Sequence, residues 1–257
     1  MTTPKAIFFD IDGTLLNHGQ MPESAKMALK YARDKGVLLF IATGRHRDEI
    51  NRIAVLPDLA FDGFVSLNGG YCYTDNSVIF RSPINKESVH MVVDYISHNP
   101  FPCMFCEEHG MFINFINEKA KAIHTALDLA IPPICAPARA LDLDIFQIVT
   151  LGNHETRDFL KKLPSCTITS WEDDCYDIVP STVNKWKGIL RIAEHFGLKS
   201  NEIATIGDNL NDMEMLTNAE YSVAMGNSSD IVKKCAKFVT TNINDDGILN
   251  AIKHLLQ

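Results

Sequence analysis

Two carboxylates stand two residues apart where the first apolar stretch of the chain ends. Asp10 and Asp12 follow the apolar run of residues 5–9, and Gly13 comes directly after them. Because the chain turns at this point, both side chains can converge on one reacting centre, one as a nucleophile or metal ligand and the other as a general acid or base. The alternative is an Asp-Gly turn after a buried strand, in which one carboxylate has no chemical role.

Three further polar clusters lie at the ends of predicted strands or the starts of predicted helices. Thr43 and Gly44 offer a hydroxyl and free N–H groups, which bind an anion or, alternatively, cap a helix. Lys185 begins an amphipathic helix, where its charge opposes the helix dipole unless it faces an anion; a solvated surface lysine is the alternative. Residues 206–212, Ile-Gly-Asp-Asn-Leu-Asn-Asp, place carboxylates beyond an apolar strand, which suits Mg²⁺ or a polar turn that caps the next helix.

The elements that must position these clusters alternate along the chain between strands and helices. Apolar runs predict buried strands over residues 5–9, 37–41, 203–206 and 221–225. Apolar residues at helical spacing predict a helix around residues 25–32, and a further helix is predicted over residues 46–56. The alternation predicts a parallel sheet with right-handed crossovers. Since such sheets bind ligands at the carboxyl ends of their strands, we expect the clusters to meet at one edge.

The middle of the chain has a different pattern. It predicts a mostly antiparallel α/β segment, bracketed by prolines, with helices over residues 86–98, 118–129 and 155–163 and strands over 104–115, 145–151 and up to 180. The last third returns to the first pattern. We therefore predict a discontinuous α/β core domain of residues 1–82 and 183–257, which encloses an inserted α/β cap domain of residues 83–182.

Composition excludes several classes of protein. Lys and Arg number 24 against 32 Asp and Glu, so the formal charge is −8 and a nucleic-acid partner is not expected. The strongest apolar run, residues 37–42, is too short to cross a membrane, and residues 1–10 lack the pattern of a signal peptide, which predicts a cytosolic protein. The seven cysteines fit reduced thiols, and we interpret the one CxxC pair, Cys103 and Cys106, as core thiols rather than a metal or redox site.

Taken together, the clusters resemble the haloacid-dehalogenase (HAD) superfamily. The matching motifs are DxDGT at residues 10–14, Thr43 after the second strand, Lys185, and GDxxND at residues 207–212. Shorter matches to the Cof-type phosphatases of subfamily IIB occur at residues 42–45, 68–69, 224–227 and 246–247. The resemblance implies a Rossmann-like parallel-sheet core with an inserted α/β cap of the C2B type.

The resemblance also implies a role for the first motif. Asp10 is expected to be the nucleophile that forms an aspartyl-phosphate, and Asp12 the general acid for the leaving alcohol and then the base for water. The metal ligands are expected to be Asp10, the main-chain carbonyl of Asp12, and Asp208. Mg²⁺ is the expected cofactor, because an attacking carboxylate and a phosphate dianion repel each other.

The phosphate-binding groups implied by the resemblance come from four places in the chain. They are the Thr43 hydroxyl, the Lys185 ammonium, the Asn211 amide and the N–H groups near Ile11 and Gly44. One departure from the family pattern leaves an alternative open. The family usually has Gly after the motif lysine, whereas here Trp186 follows Lys185 and Lys187 precedes Gly188, so Lys187 is a second candidate.

The expected function is therefore Mg²⁺-dependent hydrolysis of small phosphorylated metabolites, such as sugar phosphates, without a nucleic-acid or membrane partner. A dehalogenase would need neither Asp12 nor the metal site, whereas a phosphomutase would use the same aspartyl-phosphate. A catalytically silent binding module on the same fold is a third alternative. Residues 107–109, Glu-Glu-His, either face the substrate or form a solvated loop. The sequence leaves the individual substrate open, and the oligomeric state could be monomer or dimer.

Overall fold

The computed structural model describes residues 3–56, 59–152 and 154–257. In this part of the chain the strands are β1 (Ala6–Phe9), β2 (Leu38–Ala42), β3 (Gly63–Ser66), β4 (Tyr71–Tyr73), β5 (Val78–Arg81), β6 (Cys103–Glu107), β7 (Gly110–Ile113), β8 (Gln147–Leu151), β9 (Cys166–Glu172), β10 (Cys175–Pro180), β11 (Ile203–Gly207), β12 (Tyr221–Ala224) and β13 (Phe238–Val239). The helices are α1 (Glu23–Asp34), α2 (Arg47–Ile50), α3 (Lys86–His98), α4 (Glu118–Ala126), α5 (His154–Leu160), α6 (Lys185–His195), α7 (Met213–Asn218), α8 (Asp230–Lys233) and α9 (Gly247–Leu255).

An eight-stranded sheet, which we call the core sheet, has the strand order β13-β12-β11-β1-β2-β3-β4-β5. The six strands from β13 to β3 pair in parallel, and β4 and β5 add an antiparallel edge. Strand β1 lies between β11 and β2, so the segments that follow these three strands leave the same edge side by side. The parallel sheet predicted from the sequence is confirmed.

A five-stranded antiparallel sheet, which we call the cap sheet, has the order β7-β6-β8-β10-β9. All of its strands lie between residues 103 and 180, in the segment predicted to be mostly antiparallel. The structure is thus an α/β fold with a parallel-sheet core and an α/β cap. The domain boundaries at residues 82/83 and 182/183 remain a prediction.

Each face of the core sheet is covered by helices whose apolar stripes match the sequence pattern. Helix α1 buries Ala25, Ala28, Leu29 and Ala32 on one face. Helix α6 buries Ile189, Ile192 and Ala193 on the other. Burial of these stripes from water stabilises the layers and fixes where the loops at the strand ends lie.

The helix predicted over residues 46–56 is wrong in length. Only the single turn of α2 forms, and beyond it Ile53, Leu56 and Leu59 donate N–H groups to carbonyls three residues earlier. These successive turns bury an apolar side chain at every third residue, which produces the same sequence spacing as a helix face.

Two further expectations concern thiols and membranes. All seven cysteines are free thiols, and Cys103 and Cys106 are buried in β6. Within the described ranges, no helix has both the length and the apolar composition needed to cross a membrane.

Candidate active site

The carboxyl edge of the core sheet brings together residues that are far apart in the sequence. Asp10 follows β1 and donates its N–H to the Ile206 carbonyl at 3.0 Å. Thr43 follows β2 and donates its N–H to the Val65 carbonyl at 2.8 Å. Both side chains are buried, and Asp208 follows the neighbouring strand β11. The strand order of the sheet therefore places the first, second and fourth polar clusters at one edge.

Lys185, the first residue of α6, places its ammonium between two carboxylates. Its Nζ donates to Asp10 Oδ1 and to Asp212 Oδ1, each at 2.6 Å. The second oxygen of Asp212 accepts the N–H groups of Asp208 and Asn209 at 2.9 and 3.0 Å. Asp212 therefore fixes both the lysine and the loop after β11.

Lys187, the alternative motif lysine, lies elsewhere. Its side chain is exposed, and its main-chain N–H donates to Asn184 Oδ1 at 2.8 Å, which caps α6. The structure therefore brings Lys185, and not Lys187, to Asp10.

Three carboxylates at this edge have oxygen atoms that lie close to one another. Asp10, Asp208 and Asp212 each have an oxygen within 4.8 Å of the other two. Burial raises the pKa of Asp10 well above its ordinary value, and the ammonium of Lys185 opposes this rise. Burial, followed by the negative charge of Asp212, raises the pKa of Asp208 to about 7. Both raised pKa values indicate that negative charge is buried here with too little positive charge nearby to balance it.

These residues fit a magnesium ion. The donor set consists of hard carboxylate oxygens, which Mg²⁺ prefers, and with Asp12 the carboxylates outnumber the nearby cations Lys185 and Arg45. Both oxygens of Asp212 are already bound within the protein. Asp208 accepts from neutral groups, the Thr14 hydroxyl at 2.9 Å and the Asn227 amide at 3.4 Å, whereas Asp212 already contacts the Lys185 ammonium, so Asp10 and Asp208 fit a cation better than Asp212 does.

Asp12 makes an ion pair that the sequence did not predict. Arg45 donates from Nε to Asp12 Oδ2 and from Nη2 to Asp12 Oδ1, both at 2.7 Å. The same Nη2 lies 3.5 Å from the Leu127 carbonyl, which follows α4 of the cap. The position of Arg45 directly after Thr43 and Gly44 indicates that it lies near the site. No sequence pattern, however, indicates that it pairs with Asp12.

Residues 7–252 match the sequence model of the haloacid dehalogenase-like hydrolase family. The chain belongs to this family. A relative in Bacillus subtilis, the 5-amino-6-(5-phospho-D-ribitylamino)uracil phosphatase YcsE, is 27% identical over 97% of this chain and 95% of its own.

Two solved structures extend the comparison. The HAD subclass IIB sugar phosphatase BT4131 is 36% identical, with a TM-score of 0.91 over 97% of this chain and 98% of its own. BT1666 from Bacteroides thetaiotaomicron, described among HAD phosphatases, is 28% identical, with a TM-score of 0.86 over 98% and 95% of the two chains. The chain is thus a Cof-type HAD phosphatase, a hydrolase that acts on phosphate esters.

The turn after β1 holds the predicted phosphate-binding N–H groups of the HAD site. Ile11 is wholly buried, and its carbonyl accepts the N–H groups of Leu15 and Leu16 at 2.9 and 2.8 Å. On the neighbouring loop, Thr43 Oγ1 accepts the N–H of Arg45 at 3.1 Å, which leaves its hydroxyl hydrogen able to donate to a ligand.

A buried amide network links this site to the cap sheet. Asn68 donates to Gln147 Oε1 at 3.0 Å and to Asp177 Oδ2 at 2.8 Å, and it accepts from Asn211 Nδ2 at 3.0 Å. Gln147 in turn donates to the Gly44 carbonyl at 3.1 Å. The predicted phosphate-binding Asn211 and Gly44 are therefore both held by residues bonded to the cap sheet, a role that sequence reasoning did not assign to Asn68.

A cavity of about 270 Å³ lies between the two sheets. Its lining on the core side is Asp10, Asp12, Thr43, Gly44, Arg45, Glu49, Asn209 and Asn211. Glu107 and Glu108 are not in its lining. They accept hydrogen bonds from Arg139 and Arg81 instead, so of the two alternatives for residues 107–109 the structure favours a loop that does not face the substrate.

Gly13 provides a test of the proposed position of the metal. Its φ is +79°, and a Cβ there would lie 2.2 Å from Asp208 Oδ2. We expect Gly13→Ala to displace the Asp208 carboxylate and to weaken Mg²⁺ binding, measured as the increase in melting temperature that Mg²⁺ produces.

Gly36 is the matched control for Gly13. It has the same φ of +79°, and a Cβ added there would meet no atom within 4 Å, so Gly36→Ala adds only backbone strain of about 1 kcal/mol. Equal Mg²⁺ affinities in the two variants would contradict the assignment of Asp208 as a ligand.

Proposed function

We propose that the chain is a Mg²⁺-dependent phosphatase that hydrolyses small phosphorylated metabolites, sugar phosphates or similar compounds, through an aspartyl-phosphate on Asp10. One observation carries this proposal: the Asp10 carboxylate lines the cavity and contacts the buried Lys185 ammonium at 2.6 Å. The sugar phosphatase and the uracil-derivative phosphatase among its relatives support the same class of substrate.

Asp10 attacks phosphorus, and its bond to phosphorus forms as the bond to the leaving alcohol breaks. Two negative groups must approach each other in this step, and Lys185 offsets part of their repulsion because it already contacts Asp10. A Mg²⁺ held by Asp10, Asp208 and the Asp12 carbonyl would supply the further positive charge that stabilises the transferring group.

Phosphate recognition comes from groups on separate loops at the carboxyl edge. The Thr43 hydroxyl, the Asn211 amide and the N–H groups near Ile11 and Gly44 bind the non-bridging oxygens. Because each group is fixed by a buried strand or by the amide network, the site is organised before substrate enters, and little reorganisation is needed in the transition state.

Asp12 moves the protons. It donates one to the oxygen of the leaving alcohol, and it later takes one from the water that attacks the aspartyl-phosphate. Arg45 occupies both carboxylate oxygens of Asp12, so the ion pair must open before Asp12 can reach the leaving oxygen. A bound phosphate dianion offers Arg45 a competing anion, which couples substrate binding to the release of Asp12.

We also propose a cytosolic enzyme that has neither a nucleic-acid nor a membrane partner. The net charge of −8 and the seven cysteines support this assignment.

The test is a screen of phosphorylated metabolites that measures free phosphate with Mg²⁺ and after its removal by a chelator. We expect release from several small substrates only with Mg²⁺, and none from a folded phosphoprotein, because the cavity is covered by the cap sheet. Release that is unaffected by the chelator would contradict the role of the metal. Transfer of the phosphoryl group without release of phosphate would indicate a phosphomutase.

A further inference from the structure

The side of the cavity opposite the phosphate-binding groups is largely apolar. It is formed by the inner face of the cap sheet and by α4 with the turn that follows it. Its apolar side chains include Met104, Ile123, Leu127, Val149, Leu151 and Trp171. Val149 and Leu151 alternate along β8 with residues buried on the other face of the sheet, so both side chains lie on the face that lines the cavity. We call this side of the cavity, formed by the inner face of the cap sheet together with α4 and the turn that follows it, the cap wall.

Each of the three polar side chains Gln147, His124 and Asp177 has at least one hydrogen bond within the protein. Gln147 uses its amide nitrogen for the Gly44 carbonyl and its oxygen for Asn68. His124 pairs its Nδ1 with the Ala120 carbonyl at 2.8 Å. Asp177 accepts a hydrogen bond from Asn68 at 2.8 Å. The cap wall therefore offers few free hydrogen-bonding groups to a ligand.

Trp171 and Asp177 lie close together in the cavity lining. The indole N–H is the only polar group of a tryptophan, and Asp177 is buried in β10. The rest of the ring is apolar surface on the cavity lining. An indole in this position presents a flat apolar face on which a second flat ring can pack.

These observations discriminate between classes of leaving group. A hexose brings several hydroxyls into the cavity, and hydroxyls that lose water without gaining a partner weaken binding. A flat ring has no such groups on its faces, and it removes apolar surface of the cap wall from water.

We propose that the preferred substrates are phosphate monoesters of a primary alcohol carried on an aromatic or heteroaromatic ring, and that this ring packs on Trp171. The inference rests on the proposed function and narrows its substrate class. It also departs from the sequence expectation of sugar phosphates.

The experiment compares three esters of primary alcohols, so that the reactivity of the leaving group is matched: pyridoxal phosphate, benzyl phosphate and a hexose phosphate with its phosphate on the primary hydroxyl. We expect kcat/KM for both ring esters to exceed that for the hexose ester by roughly tenfold or more. A hexose phosphate hydrolysed as efficiently as the ring esters would overturn the inference.

Variants of the cap wall test the contact itself. Trp171→Ala is expected to lower kcat/KM for the ring esters by roughly tenfold while changing the hexose ester by less than about twofold, and Trp171→Phe is expected to retain the preference. Met104→Gln adds an amide to the wall and is expected to shift the preference towards the hexose. The matched control is Met27→Ala, since Met27 is 58% exposed on α1 and lies outside the cavity lining.

The outcomes separate this inference from the proposed function. If none of the three esters releases phosphate with Mg²⁺, the proposed function fails as well. If the hexose ester is the best substrate, the proposed function stands and the inference fails. If Trp171→Ala lowers all three rates equally, the ring does not contact the leaving group, and the inference fails on that result.

Discussion

Asp10→Asn is expected to reduce kcat by at least about 10⁴-fold, equivalent to more than 5 kcal/mol of transition-state stabilisation. An amide is a far weaker nucleophile than a carboxylate, and it also loses the charge that the metal and Lys185 bind. The measurement is release of phosphate from the best substrate of the screen at saturating Mg²⁺.

We expect the Asp10→Asn variant to be at least as stable as the wild type although it is inactive. Burial raises the pKa of Asp10 well above its ordinary value, which means that ionisation of this side chain costs the folded protein stability. Asn removes that charge, and Lys185 keeps its second partner, Asp212. We expect a melting temperature equal to or above that of the wild type, which would exclude unfolding as the cause of inactivity.

Asp94→Asn is the matched control, because the Asp94 side chain is 81% exposed on α3 and does not belong to the cavity lining. It should leave both activity and melting temperature unchanged. An Asp10→Asn protein with activity within about tenfold of the wild type would remove Asp10 from the role of nucleophile, since the loss of a nucleophile costs several kcal/mol.

The sequence was sufficient for the core sheet and for the convergence of the carboxylates. Buried parallel strands have a strong local pattern, and residues that follow neighbouring strands must meet at one edge. Asp10 and Asp208 are almost 200 residues apart, yet β1 pairs directly with β11. Their proximity follows from topology alone.

Contacts that depend on side-chain position could not be predicted in this way. The pairing of Arg45 with Asp12 requires a specific rotamer of a long side chain, and nothing in the local spacing favours it over a bond to solvent. Asn68 likewise contacts Gln147 and Asp177 of the cap sheet, which lie 79 and 109 positions further along the chain. Such contacts are set by how the two sheets face each other, which the periodicity of either segment does not encode.

The apolar cap wall was missed for a related reason. Alternation along β8 shows that one face of the strand is distinct, but both faces are buried, so the pattern does not tell which one covers the cavity. The three-residue turns after α2 show the same ambiguity, since one apolar spacing fits two backbone conformations.

Lys185→Ala is expected to reduce kcat/KM by at least about 10³-fold, because the variant loses the fixed positive charge beside the attacking carboxylate. Lys187→Ala should behave as the wild type, since the exposed Lys187 side chain is far from Asp10 and only its main-chain N–H takes part in the cap of α6. The two variants remove the same side chain two residues apart on one helix, so each is a control for the other.

The stability of the two lysine variants should differ as well. Burial lowers the pKa of Lys185, but Asp10 and Asp212 outweigh this effect and hold it above its ordinary value. A raised lysine pKa contributes stability below the unfolded pKa, near 10.5, and that stability is lost as the pH rises through the folded pKa, so it is fully present at neutral pH. Lys185→Ala leaves buried carboxylates without their cation, and we expect a loss of about 3 kcal/mol in the free energy of unfolding.

Denaturant unfolding at neutral pH measures this loss, and circular dichroism without denaturant shows whether Lys185→Ala is folded before its activity is assayed. Lys187→Ala should unfold at the wild-type midpoint. A folded, active Lys185→Ala protein beside an inactive Lys187→Ala protein would move the motif lysine to residue 187. That outcome would require α6 to begin in a different register, because in the present register only Lys185 reaches both Asp10 and Asp212.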